Sequence, residues 1–512
     1  MNQQINKTSD STLLLDKHKN TGGDNINQTT TDKQIWDKGS DIEQTPPLNP
    51  KPTFYAYVVL GLLLLIYISN QWQRSTIAYA SAYKVDPYQN DPYYNINKDI
   101  SGFKENYGYL AGASFTIPIS VVGIFMGALS DMVNRKVMVT VACMLWSLMT
   151  ILQAFAKEIW VLFVCRFALG IFQAACNPPA YSIMADYFHP QYRTTANSIY
   201  SLGIYLGGAL SSLAILIITG AGWRWMFRII GFIGLGAGAV GFIFIREPER
   251  NYFENLKKKQ QSIQNPSLLT SQSIQPAKPK ANPLALFLRA CKEIFVNPTC
   301  RYVCIAGSFR FFGGYAIGYF MPQYFAGVYP DYFKVEYSIA NSFVVSLGGF
   351  ISAMSGGIIS DKFEKRIRNI KALVCIFAGV LGCPTIAVCL LYQHNFWVSI
   401  TFLFLEYVVA ECWTSPAITM LINTISPENK GFAVSAYLFF TTLAGTLSTF
   451  LLGEFKNVWN MDEHPEYIGY TLCAFVFFSY LGSIPGFIMA GKSYKEFLEK
   501  KKEAEEQEKR NS

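Results

Sequence analysis

The sequence predicts an all-α membrane protein with twelve transmembrane helices in two pseudo-symmetric six-helix bundles. Three observations predict it. The 512 residues are 51% hydrophobic and only 15% charged, too little charge to clothe a soluble chain of this length. Apolar stretches of about 20 residues recur, each long enough to cross a ~30 Å hydrocarbon core. The first half of the chain also matches the second in register, a pattern that points to duplication.

The first six spans read as 54–82, 107–130, 136–156, 159–185, 196–219 and 226–245. The second six read as 301–328, 337–360, 371–392, 396–422, 432–455 and 468–490. Residues 1–53, rich in Asn, Gln, Thr and Asp with no early apolar core, read as a disordered cytosolic tail rather than a signal peptide. Residues 54–245 and 301–490 are then the two bundles, 246–300 a cytosolic linker and 491–512 a cytosolic tail. Pro, Ser, Gln and Lys mark the linker, and NPLALFLRACKEIF at its end has the pattern of an amphipathic helix on the membrane face. The C-terminal KEFLEKKKEAEEQEKR reads as a solvated helical run.

The net charge of +8 does not indicate nucleic acid, because its placement follows the membrane. Arg135, Lys136, Arg193, Lys362, Lys365, Arg366, Arg368, Lys371 and Lys430 fall in loops on one side, with Lys257–Lys259 and Lys500–Lys501. Across the bundle, Lys84, Lys98 and Lys104 sit among Asp86, Asp91, Asp99 and Glu105. This positive-inside bias assigns both termini to the cytosol. The tail pattern Asp10-Ser-Thr-Leu-Leu14-Leu15 fits an acidic dileucine signal, but endolysosomal and plasma membrane destinations stay open.

The eleven cysteines show neither a metal spacing nor a disulfide ladder, so no metal or cofactor is expected. An enzyme is disfavoured as well: no Ser-His-Asp order, H-E-x-x-H motif or phosphate-cradling glycine loop is present.

PAYSIMADYFHPQYRTTANSIY from Pro179 and PAITMLINTISPENKGFAVSAY from Pro416 align at an offset of 237, with Pro190/Pro427, Tyr200/Tyr437 and Gly208/Gly445 coincident. GALSDMVNRK from Gly127 likewise matches GIISDKFEKR from Gly357. In these loops Gly127 would permit close helix approach and Asp131 would face the positive end of a neighbouring helix. A merely basic loop explains Arg135 and Lys136, but not the carboxylate four residues earlier or its repetition at Asp361 before Lys365 and Arg366.

Here the chain resembles the major facilitator superfamily, whose loop signature G-x-L-[AS]-D-x-x-x-R-[KR] is matched by Gly127, Leu129, Ser130, Asp131, Arg135 and Lys136. Its fourth-helix pattern R-x-x-x-G is matched by Arg166 and Gly170. The resemblance spans about residues 54–490 and implies a gating latch built from Gly127, Asp131, Arg135, Lys136, Arg166, Asp361, Lys365 and Arg366. Within the superfamily the chain is similar to the spinster-like group, with patterns N-x-x-D-R-x-T and R-x-x-x-G-x-G-E-A. Asn70, Arg74, Thr76, Arg166, Gly170 and Ala174 fit, then Ile183, Asp186, Phe188 and Arg193, whereas Gln73 and Gln173 stand where the patterns have acids.

Ionisable residues inside spans are costly and are kept where they face a cavity or a partner. Arg74, Arg166, Arg310, Glu406 and Glu411 lie on the first, fourth, seventh and tenth spans, which line the central cavity of the implied fold. The candidate solute contacts are therefore Arg74, Gln73, Asn70, Gln173, Asn177, Arg310, Tyr315, Glu411 and Glu406. Arg74 and Arg310 are expected to face the cavity from opposite halves, and of the two glutamates, five residues apart, one is expected to reach it. Helix-locking ion pairs among these groups are the competing role.

Glutamine cannot titrate, so any proton coupling moves to Glu406 or Glu411; a facilitator or exchanger is the other option. The expected protein is a monomeric secondary transporter in contact with membrane lipids. Its solute would be a small anionic or zwitterionic molecule, with a coupled proton or counter-ion in question. The resemblance implies lysophospholipids or sphingoid phosphates; organic anions, phosphate esters, sugars or a non-transporting receptor are the alternatives.

Overall fold

The computed structural model describes residues 52–84, 88, 90–253, 255–256, 283–364, 366–426 and 430–511. The side chain of Asp131, all of Lys365, the N-terminal tail with its dileucine pattern and most of the linker lie outside them. The described residues are helical almost throughout.

Ten helices are long and apolar enough to cross a membrane, among the described residues. Pro190–Phe244 holds two of the twelve spans, the fifth and sixth, joined at Gly222. Only glycine accepts the φ of +81° there, and a Cβ would collide with the Tyr93 carbonyl at 2.6 Å. Pro298–Val328, the seventh span, is long enough, but Arg310 and its many glycines and tyrosines keep it less apolar. Chain order gives the rest: Phe54–Ala82 is the first span, Tyr107–Ala111 with Ala113–Met132 the second, and Arg135–Gln153 the third. Glu336–Phe363 is the eighth span, Ile370–Leu391 the ninth, Lys430–Val458 the eleventh, and Glu466–Asn511 the twelfth, running on into the exposed C-terminal helix.

The fourth and tenth spans carry the internal repeat into three dimensions. The fourth is Ile159–Gln173 and Asn177–Tyr187, interrupted at residues 174–176. An offset of 237 carries these segments onto Phe396–Ala410 and Thr414–Thr424, with the 3₁₀ turn Glu411–Trp413 between them. Pro178 and Pro416, which lack a backbone N–H, follow the two breaks and help explain why each span is bent at its middle.

Helix starts are capped as the sequence demands. Asn134 accepts from the Val137 amide at 3.0 Å and Asn395 from the Trp397 amide at 2.9 Å. The linker's last helix, Pro283–Val296, buries Phe287, Ala290 and Ile294; Phe287 meets Phe439 of the eleventh span.

Chain direction puts the start of the first span and the ends of the even spans on one face, called here the terminal face. Tyr55 accordingly donates to the Phe244 carbonyl at 2.6 Å. Contacts between the bundles concentrate toward the opposite face. There Gln323 donates to Ser81 at 2.9 Å, Tyr107 to the Tyr319 carbonyl at 2.7 Å, and Asn341 to Tyr79 at 3.0 Å. Ser212 and Ser338 exchange hydrogen bonds at 3.0 and 2.9 Å. Gly108 of the second span meets Gly453 of the eleventh backbone to backbone. The pathway between the bundles is therefore closed at the face opposite the termini.

Candidate functional site

At the terminal face, Arg135 is buried and satisfied by several partners. Its Nε donates to Glu247 at 2.7 Å, its Nη1 to Asp186 at 2.5 Å, and its Nη2 to the Pro248 carbonyl at 3.0 Å. Glu247 also accepts from the Lys136 amide at 2.8 Å, and Lys136 Nζ lies 5.1 Å from the Phe242 ring. Arg250 donates to the carbonyls of Ser130 and Val133 at the end of the second span, where helix carbonyls lack partners.

Glu247 and Arg250 escaped the sequence reading because they follow the sixth span and fell into the linker. The charged run Arg246-Glu-Pro-Glu-Arg250 was the available signal. In the sequence Asp186 stands out only as a match to the spinster-like pattern.

The second half repeats this arrangement with altered chemistry. Buried Lys371 pairs with Glu364 at 2.5 Å and more loosely with Asp361 at 3.8 Å. Tyr494 donates to Glu364 at 3.0 Å and accepts from Asn423, the residue the repeat places opposite Asp186. Asp361 and Arg366 are exposed.

Two latch expectations need correction. A Cβ at Gly127 would meet nothing within 4 Å among the described residues, so this glycine mediates no close approach to them in the present conformation. Arg166 lies well away from the 127–136 loop, a turn before Gly170 in the half of the fourth span nearer the opposite face. Its Nη1 donates to the Arg74 carbonyl at 3.1 Å and its Nε to the Leu110 carbonyl at 3.3 Å. The close approach belongs to Gly170, where a Cβ would strike the Phe115 carbonyl at 2.5 Å.

Midway through the bundle, Arg74 reaches across the seam. Its Nη2 donates to the Tyr315 hydroxyl at 2.7 Å, and its guanidinium lies 5.0 Å from the Phe115 ring centroid. Cation–π contact and a neutral phenol help hold the charge, yet neither neutralises it. Tyr315 is backed by Gly445, where a Cβ would come within 2.7 Å of the ring. Toward the terminal face, Tyr67 stacks on Tyr200 at 4.5 Å, Tyr181 meets Tyr200 edge-on at 5.3 Å, and Asn177 accepts from the Tyr200 hydroxyl at 2.9 Å.

Gln73 faces the third span instead of the seam. Its amide donates to Ser69 at 2.9 Å and to Ser147 at 3.0 Å, and its carbonyl accepts from Thr150 at 2.7 Å. With the side chain 1% exposed and its polar atoms engaged, it holds two helices together in place of the solute contact expected of it. Gln173 donates to the Asn70 carbonyl at 3.1 Å; its own carbonyl and the Asn70 amide nitrogen are buried with no acceptor or donor facing them, among the described residues.

Arg310 is turned into the second bundle, and its described contacts all lie there. Its guanidinium sits 3.8 Å from the Tyr480 ring centroid and 5.4 Å from that of Trp413, and it donates to the Ala410 carbonyl. It therefore does not face Arg74 across a shared cavity. Glu406 is buried and accepts from the Tyr480 hydroxyl, whereas Glu411 is partly exposed in the 3₁₀ turn.

Two bundles closed at one face around mid-membrane cations define a carrier that works by alternating access. The chain belongs to the major facilitator superfamily: the family model for the Major Facilitator Superfamily matches residues 53–449. It is a secondary transporter and not an enzyme. Among its relatives, the probable sulfoacetate transporter SauU of Cupriavidus necator is 23% identical, with 70% of this chain and 79% of that protein covered. The sphingosine-1-phosphate transporter SPNS2 of Xenopus tropicalis is also 23% identical, covering 78% of this chain and 77% of its own length. A bacterial homologue of the human lysosomal transporter Spinster, solved inward-facing and unoccupied, superposes with a TM-score of 0.62 at 20% identity. That match covers 87% of this chain and 97% of the other.

Proposed function

We propose that this carrier belongs to the spinster-like group and moves an anionic or zwitterionic single-chain amphiphile, of the lysophospholipid or sphingoid-phosphate class. The observation that carries this reading is the charge balance at mid-membrane. Arg74, Arg166 and Arg310 have no carboxylate at ion-pair distance among the described residues. Of the three, Arg74 alone is more than marginally exposed, and it donates across the seam to Tyr315. A phosphate or sulfonate would supply the missing charge and accept paired guanidinium hydrogen bonds.

The exposed Tyr181, braced by the buried stack of Tyr67 and Tyr200, offers an aromatic surface for an alkyl chain between that cation and the terminal face. The positive loops support cytosolic termini. In that orientation the closed opposite face is the outer one, and the head group reaches Arg74 from the cytosol. The carrier works as a single chain.

The test is flux of labelled sphingosine-1-phosphate and of sulfoacetate in proteoliposomes. Saturable sphingosine-1-phosphate flux that Arg74→Ala abolishes is the expected result. Flux of sulfoacetate alone would overturn the amphiphile, and equal flux in Arg74→Ala would overturn the head-group site.

A further inference from the structure

Glu406 and Arg310 share one tyrosine without touching each other. Glu406 is 1% exposed and takes the Tyr480 hydroxyl, while Arg310, 2% exposed, lies on the face of the same ring. Gly382 keeps the ring in place, since a Cβ there would come within 2.6 Å of it. The Nε and Nη1 of Arg310 are buried with no acceptor, among the described residues, although its third nitrogen is on the Ala410 carbonyl.

A buried carboxylate with one neutral hydrogen-bond donor is poorly compensated, and so is a guanidinium with two idle donors. Had both been fixed charges, a direct pair would relieve both at once. Their separation around Tyr480 is the arrangement expected of a carboxyl that carries a proton.

The groups facing Glu406 are few. Arg310 comes from the seventh span, Tyr480 from the twelfth and Cys389 from the ninth; Tyr407 and Glu411 are on its own span. Of the two carboxyl residues, Glu411 is the partly exposed one.

We propose that Glu406 is the proton-binding carboxyl of this carrier, with Tyr480 as its positioning residue and Arg310 as the counter-ion of its deprotonated form. On release, the O–H bond of Glu406 breaks, the proton passes to water beside Glu411, and the idle Nε and Nη1 of Arg310 take up the carboxylate. To do so the guanidinium leaves the Ala410 carbonyl, the last helical residue before the 3₁₀ break at Glu411–Trp413. Proton loss is thereby tied to the bend in the tenth span. The inference rests on the carrier reading but not on the identity of the solute.

Infrared difference spectroscopy of the full-length protein in proteoliposomes, stepped from neutral to alkaline pH, reads this site without a solute. The carbonyl stretch of a neutral buried carboxyl should be present, vanish in Glu406→Gln, and shift in Tyr480→Phe, which keeps the acid and removes its partner. A wild type without the band, a band that survives Glu406→Gln, or one lost in Glu411→Gln instead would overturn the assignment. In parallel, an imposed proton gradient should accelerate sphingosine-1-phosphate flux several-fold in wild type and leave the flux of Glu406→Gln unchanged. Absence of any sphingosine-1-phosphate flux overturns the solute class alone, and the infrared band still decides the proton site.

Discussion

The Nη2 of Arg74 donates to the Tyr315 hydroxyl at 2.7 Å, joining the first span to the seventh across the seam between the bundles. Because a phenol satisfies the hydrogen bond and leaves the charge, the pair forms a closed site that an anion can still enter. Tyr315→Phe keeps the ring against Gly445 and removes only the acceptor. The lost hydrogen bond to a charged group is worth about 2 kcal/mol. Because that bond is made in the empty site and competes with the solute for the guanidinium, flux kinetics should show KM lowered, by up to roughly thirty-fold, with kcat little changed. A change confined to kcat would mean that Tyr315 acts in closure and not in binding.

Gln73 separates structural from solute-binding roles on the same helix. Gln73→Leu would strand Ser147 and remove the acceptor used by Thr150, at a cost of about 1–3 kcal/mol. The expected outcome is a lower melting temperature in detergent with an unchanged KM. Gln73→Glu should be milder, because the hydroxyls of Ser69, Ser147 and Thr150 can all donate to a carboxylate. A large KM effect from Gln73→Leu with unaltered melting would return this residue to the solute site.

These two residues show where sequence reasoning reached and where it stopped. That the first span carries its polar groups in its second half was legible, because a lipid-facing helix cannot hide Asn70, Gln73 and Arg74 within a few residues. The repeat was legible too, and its 237-residue offset anticipated two spans broken at equivalent places. Partners were not. Whether Gln73 or Arg74 faces the seam depends on the rotation of one helix against its neighbours, and adjacent residues on a helix point about 100° apart. Arg310 illustrates the same limit: its turn toward Tyr480 depends on the bend that frees the Ala410 carbonyl. Glu247 was lost for another reason, since a charged run after a span reads as a loop until Arg135 is seen buried against it.

Asp462 is the hub of the closed face. It accepts from Lys84 and, at 3.0 Å, Lys104 of the first half, and from Lys456 of the second at 3.3 Å. Burial pushes its carboxyl up, but the ammoniums of Lys456, Lys84 and Lys104 outweigh it and hold the carboxyl well below the usual range. A depressed value means the lock is complete above the ordinary carboxylate pKa of about 3.9 and is lost only as pH falls through the lower one. Maleimide labelling of a cysteine placed at buried Thr449, in a background without native cysteines, should therefore be the same at about pH 5.5 and at about pH 4.5. Asp462→Asn leaves three like charges together and should raise labelling roughly thirty-fold, for about 2 kcal/mol against closure. Labelling that climbs in wild type on mild acidification would show that another titrating group holds this face.

Two glycines should push the carrier in opposite directions. At Gly108 a Cβ would lie 2.7 Å from the Thr449 carbonyl and 3.1 Å from the Gly453 Cα, backbone atoms that cannot move aside cheaply. At Gly127 it would meet nothing within 4 Å among the described residues. Alternating access requires the terminal face to close when the opposite face opens, and Gly127 is expected to permit a close approach in that other state. Gly108→Val should then disfavour the conformation described here and Gly127→Val should favour it, each slowing flux. Spin labels at the exposed positions Lys98 and His464 report which way the balance moves. Their distance should lengthen in Gly108→Val and stay at the short, closed value in Gly127→Val even when solute is present. If both variants lengthen it, Gly127 serves general packing, and the loop signature it opens is not a latch for the opposite conformation.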